Sequence, residues 1–170
     1  MHEPITGNNS AADRAVHCYP REAETRTNPG GDNLTTIIYA PAVTTQRLST
    51  ARLQIPGGVA TTPQHHRESE TALVVLSGHV IVLSGQKLRT LRPVPGDMVY
   101  IPATIPYTIA NLSHHAPVLL LAFRTDPAFT ADVTRNPELE PAASARIEGL
   151  RTQHHQDLMT RRAARGRRGP

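Results

Sequence analysis

Two groups of residues in this chain have the types and spacing to do chemistry. The run Gln64-His65-His66-Arg67-Glu68-Ser69-Glu70 sets imidazoles, an amide and carboxylates directly ahead of an apolar, β-branched stretch. Further on, Tyr107 and Asn111 follow Pro95-Gly96-Asp97-Met98-Val99-Tyr100-Ile101-Pro102. Alternate side chains on a strand share a face, so Gln64 and His66 would point one way and His65 the other, unless the backbone is irregular there. Imidazole suits transition metals, and a carboxylate compensates their charge. A histidine with a pKa near 6.5, oriented by a carboxylate, is equally suited to moving protons.

The elements that would position these groups read as strands. Apolar or alternating runs occur at 34–39, 48–55, 71–76, 80–83, 87–91, 98–101, 107–111 and 118–123. Turn signals separate them, among them Pro56-Gly57-Gly58, Ser77-Gly78, Gly85-Gln86 and Pro95-Gly96. Strands every 8 to 12 residues predict an all-β sandwich or barrel rather than a parallel α/β sheet. A further short strand is expected at 15–19. After Asp126 the composition becomes compatible with helix, and Pro141 and Gly149 predict that any helices there are short.

These motifs resemble those of the cupin family. Its second motif, G-x5-P-x-G-x2-H-x3-N, is matched by Gly96, Pro102 and Asn111, with Thr104 in the glycine slot and Tyr107 in the histidine slot. Its first, G-x5-H-x-H-x3,4-E-x6-G, ends on Gly78 and puts His66 in the second histidine slot and Gln64 in the first. The resemblance covers roughly residues 48–123. It implies a single-domain antiparallel β-barrel of the double-stranded β-helix or jelly-roll type, with short C-terminal helices. The expected organisation is an N-terminal arm at 1–33, the barrel at 34–126, helices and loops at 127–160, and a basic disordered tail at 161–170.

The resemblance also implies a site in the barrel lumen, in one of two forms. In the first, His66, Glu70 and either His65 or Gln64 hold a divalent metal (Fe, Zn, Ni or Mn), with Tyr107 as a ligand or a donor beside it. In the second, His66, Glu70 and Tyr107 form a metal-free acid/base pocket. Glu70 follows His66 by an allowed gap, but the count back from Gly78 lands on Thr71. A slip of one residue exchanges lumen for exterior, so either residue could face inward. The implied function is an enzyme acting on a small organic metabolite by metal-assisted oxygenation, cyclisation or isomerisation in a biosynthetic pathway. The alternative is a metal-free small-molecule sensor or carrier. A homodimer is expected from the same resemblance, and pairing of exposed strand edges gives a physical reason for it.

Composition narrows the partners. The formal charge is +4, but Arg161, Arg162, Arg165, Arg167 and Arg168 supply five positive charges, and without them it is −1. The body therefore has no basic excess, and nucleic acid is not the expected partner. No apolar run is long enough for a membrane-spanning helix. The polar N-terminus lacks the apolar core of a secretory signal, and the single cysteine, Cys18, has no partner for an intrachain disulfide. Both fit a cytoplasmic setting. Neither a phosphate-binding loop nor a dinucleotide fingerprint occurs, so a nucleotide cofactor has no support.

Overall fold

The structure, a computed structural model, describes residues 24–40, 42–43, 45–129 and 132–166. In chain order the strands are β1 (Arg26–Thr27), β2 (Asn33–Ile38), β3 (Ser49–Ile55), β4 (Gln64–His66), β5 (Thr71–Ser77), β6 (Val80–Ser84), β7 (Arg89–Leu91), β8 (Met98–Ile101), β9 (Tyr107–Asn111), β10 (Val118–Arg124) and β11 (Val133–Arg135). A short 3-10 turn, Pro137–Leu139, leads into one helix, α1 (Glu140–Gly166). The strands form two sheets, ordered β1-β2-β3-β10-β5-β8 and β11-β4-β9-β6-β7, and every pairing is antiparallel.

Burial follows the period of two of an extended strand. On β10, Val118, Leu120, Ala122 and Arg124 are buried, while Leu119, Leu121 and Phe123 are half-buried on the opposite face. On β5, Thr71, Leu73 and Val75 face inward. These residues meet Val80, Val82 and Ile109 of the second sheet in one apolar core. Each such side chain is worth about 1.5–3 kcal/mol when withdrawn from water. β9 is buried on both faces because α1 covers the outside of its sheet.

The expected all-β architecture is present as two antiparallel sheets with a single C-terminal helix. The short helices expected after Asp126 are corrected: α1 runs for 27 residues without a break. Pro141 lies in its first turn, where the missing N–H has no helical acceptor to lose. Gly149 is exposed with open space around it, and it costs about 1 kcal/mol relative to alanine. Packing outweighs that cost. Leu139, Ala143 and Ile147 bury against Ile81, Leu83 and Ala110, with Leu150 alongside. One turn on, Arg151 donates from Nε to the Asn111 carbonyl and from Nη2 to the Val59 carbonyl, each at 2.9 Å. Arg161 and Arg162 are also helical, so the tail expected from 161 begins as part of α1.

The strands β1, β4 and β11 were not anticipated from apolar patterning, and two of them carry the site. Residues 26–33, expected as an arm, form the β1–β2 hairpin, which buries Asp32. The strand expected at 15–19 lies outside the described residues.

Candidate acid/base site

β4 is only three residues long, yet it sorts the candidate side chains. Gln64 lies opposite Tyr107 of β9 and lines a cavity of about 170 Å³ between the sheets. Leu73, Ile109, Arg124 and Phe129 line the same cavity. His66, two residues along from Gln64, is 2% exposed, and its Nε2 lies 3.2 Å from the Tyr107 hydroxyl. His65 points elsewhere and pairs through Nδ1 with Oδ1 of Asn136 at 2.8 Å.

Glu70 does not join them. It is exposed, and its carboxylate accepts a hydrogen bond from the exposed Tyr100. Thr71 takes the inward position, 1% exposed, and its Oγ1 is buried without a hydrogen-bond partner. The carboxylate that reaches His66 is Asp132, whose Oδ1 lies 2.9 Å from Nδ1. Asp132 immediately precedes β11, and the pairing of β11 with β4 sets Val133 opposite His66. No motif spacing marks Asp132. The only signal is the β-branched pair Val133-Thr134 that follows it.

Asp132 is held as an anion. Burial alone would raise its pKa, but donation from the N–H of Glu68, from His66, and from the hydroxyl and N–H of Ser69 outweighs that and holds the carboxyl well below the usual range. Its Oδ2 accepts from Glu68 N at 3.0 Å and from Ser69 N and Oγ at 2.8 Å each. The imidazole of His66 is pushed below 6.5, first by burial and next by the Arg124 guanidinium, against the opposing pull of Asp132. The ring is therefore neutral at neutral pH. An ionised carboxylate only accepts, so the His66 proton sits on Nδ1. Nε2 is left with a lone pair facing the Tyr107 O–H.

Arg124 completes the chain of contacts, with Nη2 donating to the Tyr107 oxygen at 3.4 Å. The Phe129 ring covers the guanidinium, whose carbon lies 4.1 Å from the ring centroid. Asp132, His66, Tyr107 and Arg124 thus form one connected line that ends at the cavity wall. Tyr107 occupies the histidine slot of the motif and is 3% exposed.

The residues present do not fit a divalent metal centre of Fe, Zn, Ni or Mn. Both nitrogens of His66 already have partners, His65 turns away and Glu70 is outside. Among the described residues no three His, Cys, Asp or Glu side chains converge in a metal-binding arrangement.

Residues 52–123 match the cupin domain family. No curated protein matches the sequence. Among solved structures, a histidine-to-glutamine variant of Streptomyces PAC13 with uridine superposes with a TM-score of 0.57 at 16% identity, over 72% of this chain and 92% of that one. KdgF from Halomonas sp. gives 0.53 at 16% identity, over 65% and 94%. Lactobacillus farciminis oxalate decarboxylase in a formate complex gives 0.57 at 20% identity, over 66% of this chain. This chain spans only 33% of that decarboxylase. At such identities the likeness is one of fold. Two antiparallel sheets, the motif residues from Gly78 to Asn111 and the matched span lead to one conclusion: residues 52–123 are a domain of the cupin family.

Proposed function

We propose that the chain is an enzyme that moves protons on a small organic molecule held between the sheets, without a metal in the transfer. Tyr107 is the group that touches the substrate. When its oxygen takes a proton from substrate carbon or oxygen, its own proton passes to Nε2 of His66. The imidazolium so formed is stabilised by Asp132. Returning the two protons in reverse order, to a neighbouring substrate atom, completes an isomerisation or cyclisation with no net change in the protein. Arg124 stabilises negative charge on the phenolic oxygen during the exchange.

The observation that carries this reading is the 3.2 Å approach of His66 Nε2 to the Tyr107 hydroxyl on the cavity wall. Incubation in D2O with a panel of small carbonyl compounds, followed by proton NMR, tests it. Exchange of a C–H should occur with the native chain and vanish in Tyr107→Phe and in His66→Gln at unchanged melting temperature. A compound that binds without exchange or turnover would favour the second reading, a sensor or carrier.

A homodimer and a cytoplasmic setting belong to the same proposal. Leu76, Met98 and Tyr100 are exposed together on the outer face of the first sheet, which supports self-association. Light scattering on the purified chain should give twice its 18.5 kDa mass. Among the described residues no helix is long and apolar enough to cross a membrane.

A further inference from the structure

We infer that the cavity beside Tyr107 binds a small carboxylate, with the guanidinium of Arg124 as its anchor. The inference rests on the proton-transfer reading for what happens to the ligand, but not for its binding.

Arg124 ends β10 and is 7% exposed. Of its five N–H donors, one on Nη1 meets the Phe129 carbonyl and one on Nη2 meets Tyr107. Its Nε is buried and has no hydrogen-bond partner. Arg124 takes no part in the His66–Asp132 or Arg151–Glu148 ion pair. Burying a guanidinium this deeply costs several kcal/mol unless it is well paired. The fold nonetheless holds the group in place, with the Phe129 ring over one face and the carbonyl of Phe129 on one edge. Phe129 itself adopts a left-handed backbone, φ 68°, to supply both contacts. A conformation so unfavourable for a bulky residue marks a position fixed by its surroundings.

The remaining walls agree. Arg26 and Arg135 also line the cavity, against a single carboxylate, Asp32, which accepts from Nδ2 of Asn28 at 2.7 Å. Leu34, Leu53, Leu73 and Ile109 supply an apolar part of the wall, beside polar groups from Thr61 and Gln64. The volume of about 170 Å³ is close to that of cavities known to hold benzene, roughly 150 Å³. A six-membered ring or a short carbon chain fits. A guanidinium fork matches a planar carboxylate bidentately, and the apolar part of the wall receives a carbon body that inorganic phosphate lacks. Because Nη2 of Arg124 donates to Tyr107, a carboxylate held by this guanidinium lies near the Tyr107 oxygen, where the proposed exchange takes place.

Calorimetry with benzoate, benzamide and inorganic phosphate tests the inference directly. Benzoate should bind about tenfold or more tightly than the isosteric but neutral benzamide, since hydrogen bonds to charged groups contribute about 1.5–3 kcal/mol. Phosphate should not displace it. Arg124→Gln should lose about tenfold or more of the benzoate affinity, and Glu70→Gln, on the outer face of the first sheet, should keep it. In 15N-labelled native protein, the Nε–H resonance of Arg124 should shift on adding benzoate, a readout that does not depend on the folding of any variant. Equal affinity for benzamide, displacement by phosphate, or an unmoved Nε–H signal would overturn the inference. Benzoate binding without C–H exchange would leave the carboxylate site standing and remove the proton-transfer reading; exchange with indifference to charge would do the reverse.

Discussion

Oδ1 of Asp132 lies 2.9 Å from Nδ1 of His66, across 66 positions of sequence. That contact decides the character of the site. It fixes the imidazole tautomer and turns the Nε2 lone pair toward Tyr107. The same carboxylate gathers the N–H groups of Glu68 and Ser69, so the chain just beyond β4 is pinned by the residue that orients His66.

Asp132→Asn should therefore damage stability and activity together. An amide turned to accept from Nδ1–H of His66 sets its NH2 against three donors, Glu68 N, Ser69 N and Ser69 Oγ. Loss of hydrogen bonds to a charged acceptor, with donors left unpaired, predicts destabilisation of about 2–3 kcal/mol. Urea denaturation of the native and variant chains gives the difference. An unchanged midpoint would mean that Asp132 does not serve those donors.

Two downward shifts within the site contribute to the pH dependence of stability. The folded His66 resists protonation, so the unfolded chain binds the extra proton once pH drops below 6.5. Its contribution is complete above that value and is lost as pH falls toward the lowered folded pKa. Asp132 adds a second loss, complete above the unfolded carboxylate value of 3.8 and drained as pH falls below it. Denaturation midpoints measured from pH 7 down to pH 5 should decline in the native chain and decline less steeply in His66→Gln, where His154, also held below 6.5, still titrates. A native profile that is flat across this window would contradict the buried, neutral imidazole. The acid limb of any proton-transfer activity should likewise fall below 6.5.

Much of the framework was legible because apolar runs between turn signals mark strands. Thr71 to Leu76 and Val118 to Phe123 are such runs, and the pleat buries their alternate side chains more deeply. The Pro-Gly-Asp turn and Pro102 likewise bound β8 where expected. The site was harder to read. His66 and Tyr107 stand in recognisable slots, but the carboxylate sits just before a three-residue strand that is held by its pairing with β4. Arg124 ends an apolar strand, and sequence alone does not distinguish a buried guanidinium from one that reaches water. Helix α1 was misjudged because Pro141 and Gly149 were weighed by propensity, whereas Ala143, Ile147 and Arg151 anchor the helix on the second sheet.

Glu70→Gln separates this site from the one the motif count allowed. The Glu70 side chain meets Tyr100 on the outside of the first sheet, away from the cavity. Its replacement should leave turnover and melting temperature unchanged. Elemental analysis of the untagged protein, before and after dialysis against a chelator, should find no stoichiometric Fe, Zn, Ni or Mn whose removal alters either property. A metal retained by the native chain and lost in Glu70→Gln would restore the motif's carboxylate to the site.

Thr104 offers the converse case, a position where the chain departs from its motif at a cost. The family has glycine in this slot, and Thr104 takes a left-handed backbone with φ 66°. It does so next to the site, donating its N–H to the carbonyl of His66 at 2.6 Å. For an L-residue with a branched side chain that conformation costs about 1–2 kcal/mol. Glycine removes the strain but gives back about 0.4–1 kcal/mol through the freedom of the unfolded chain. The Thr104 side chain is exposed, so little packing is lost. Thr104→Gly should therefore raise stability by about 0.5–1 kcal/mol, visible as a higher urea midpoint with an unchanged slope. Thr104→Val, which keeps the branch and the strain, should gain nothing. A fall in stability for the glycine variant would show that the threonine side chain makes up for its backbone, and that the turn beside His66 is held by more than one hydrogen bond.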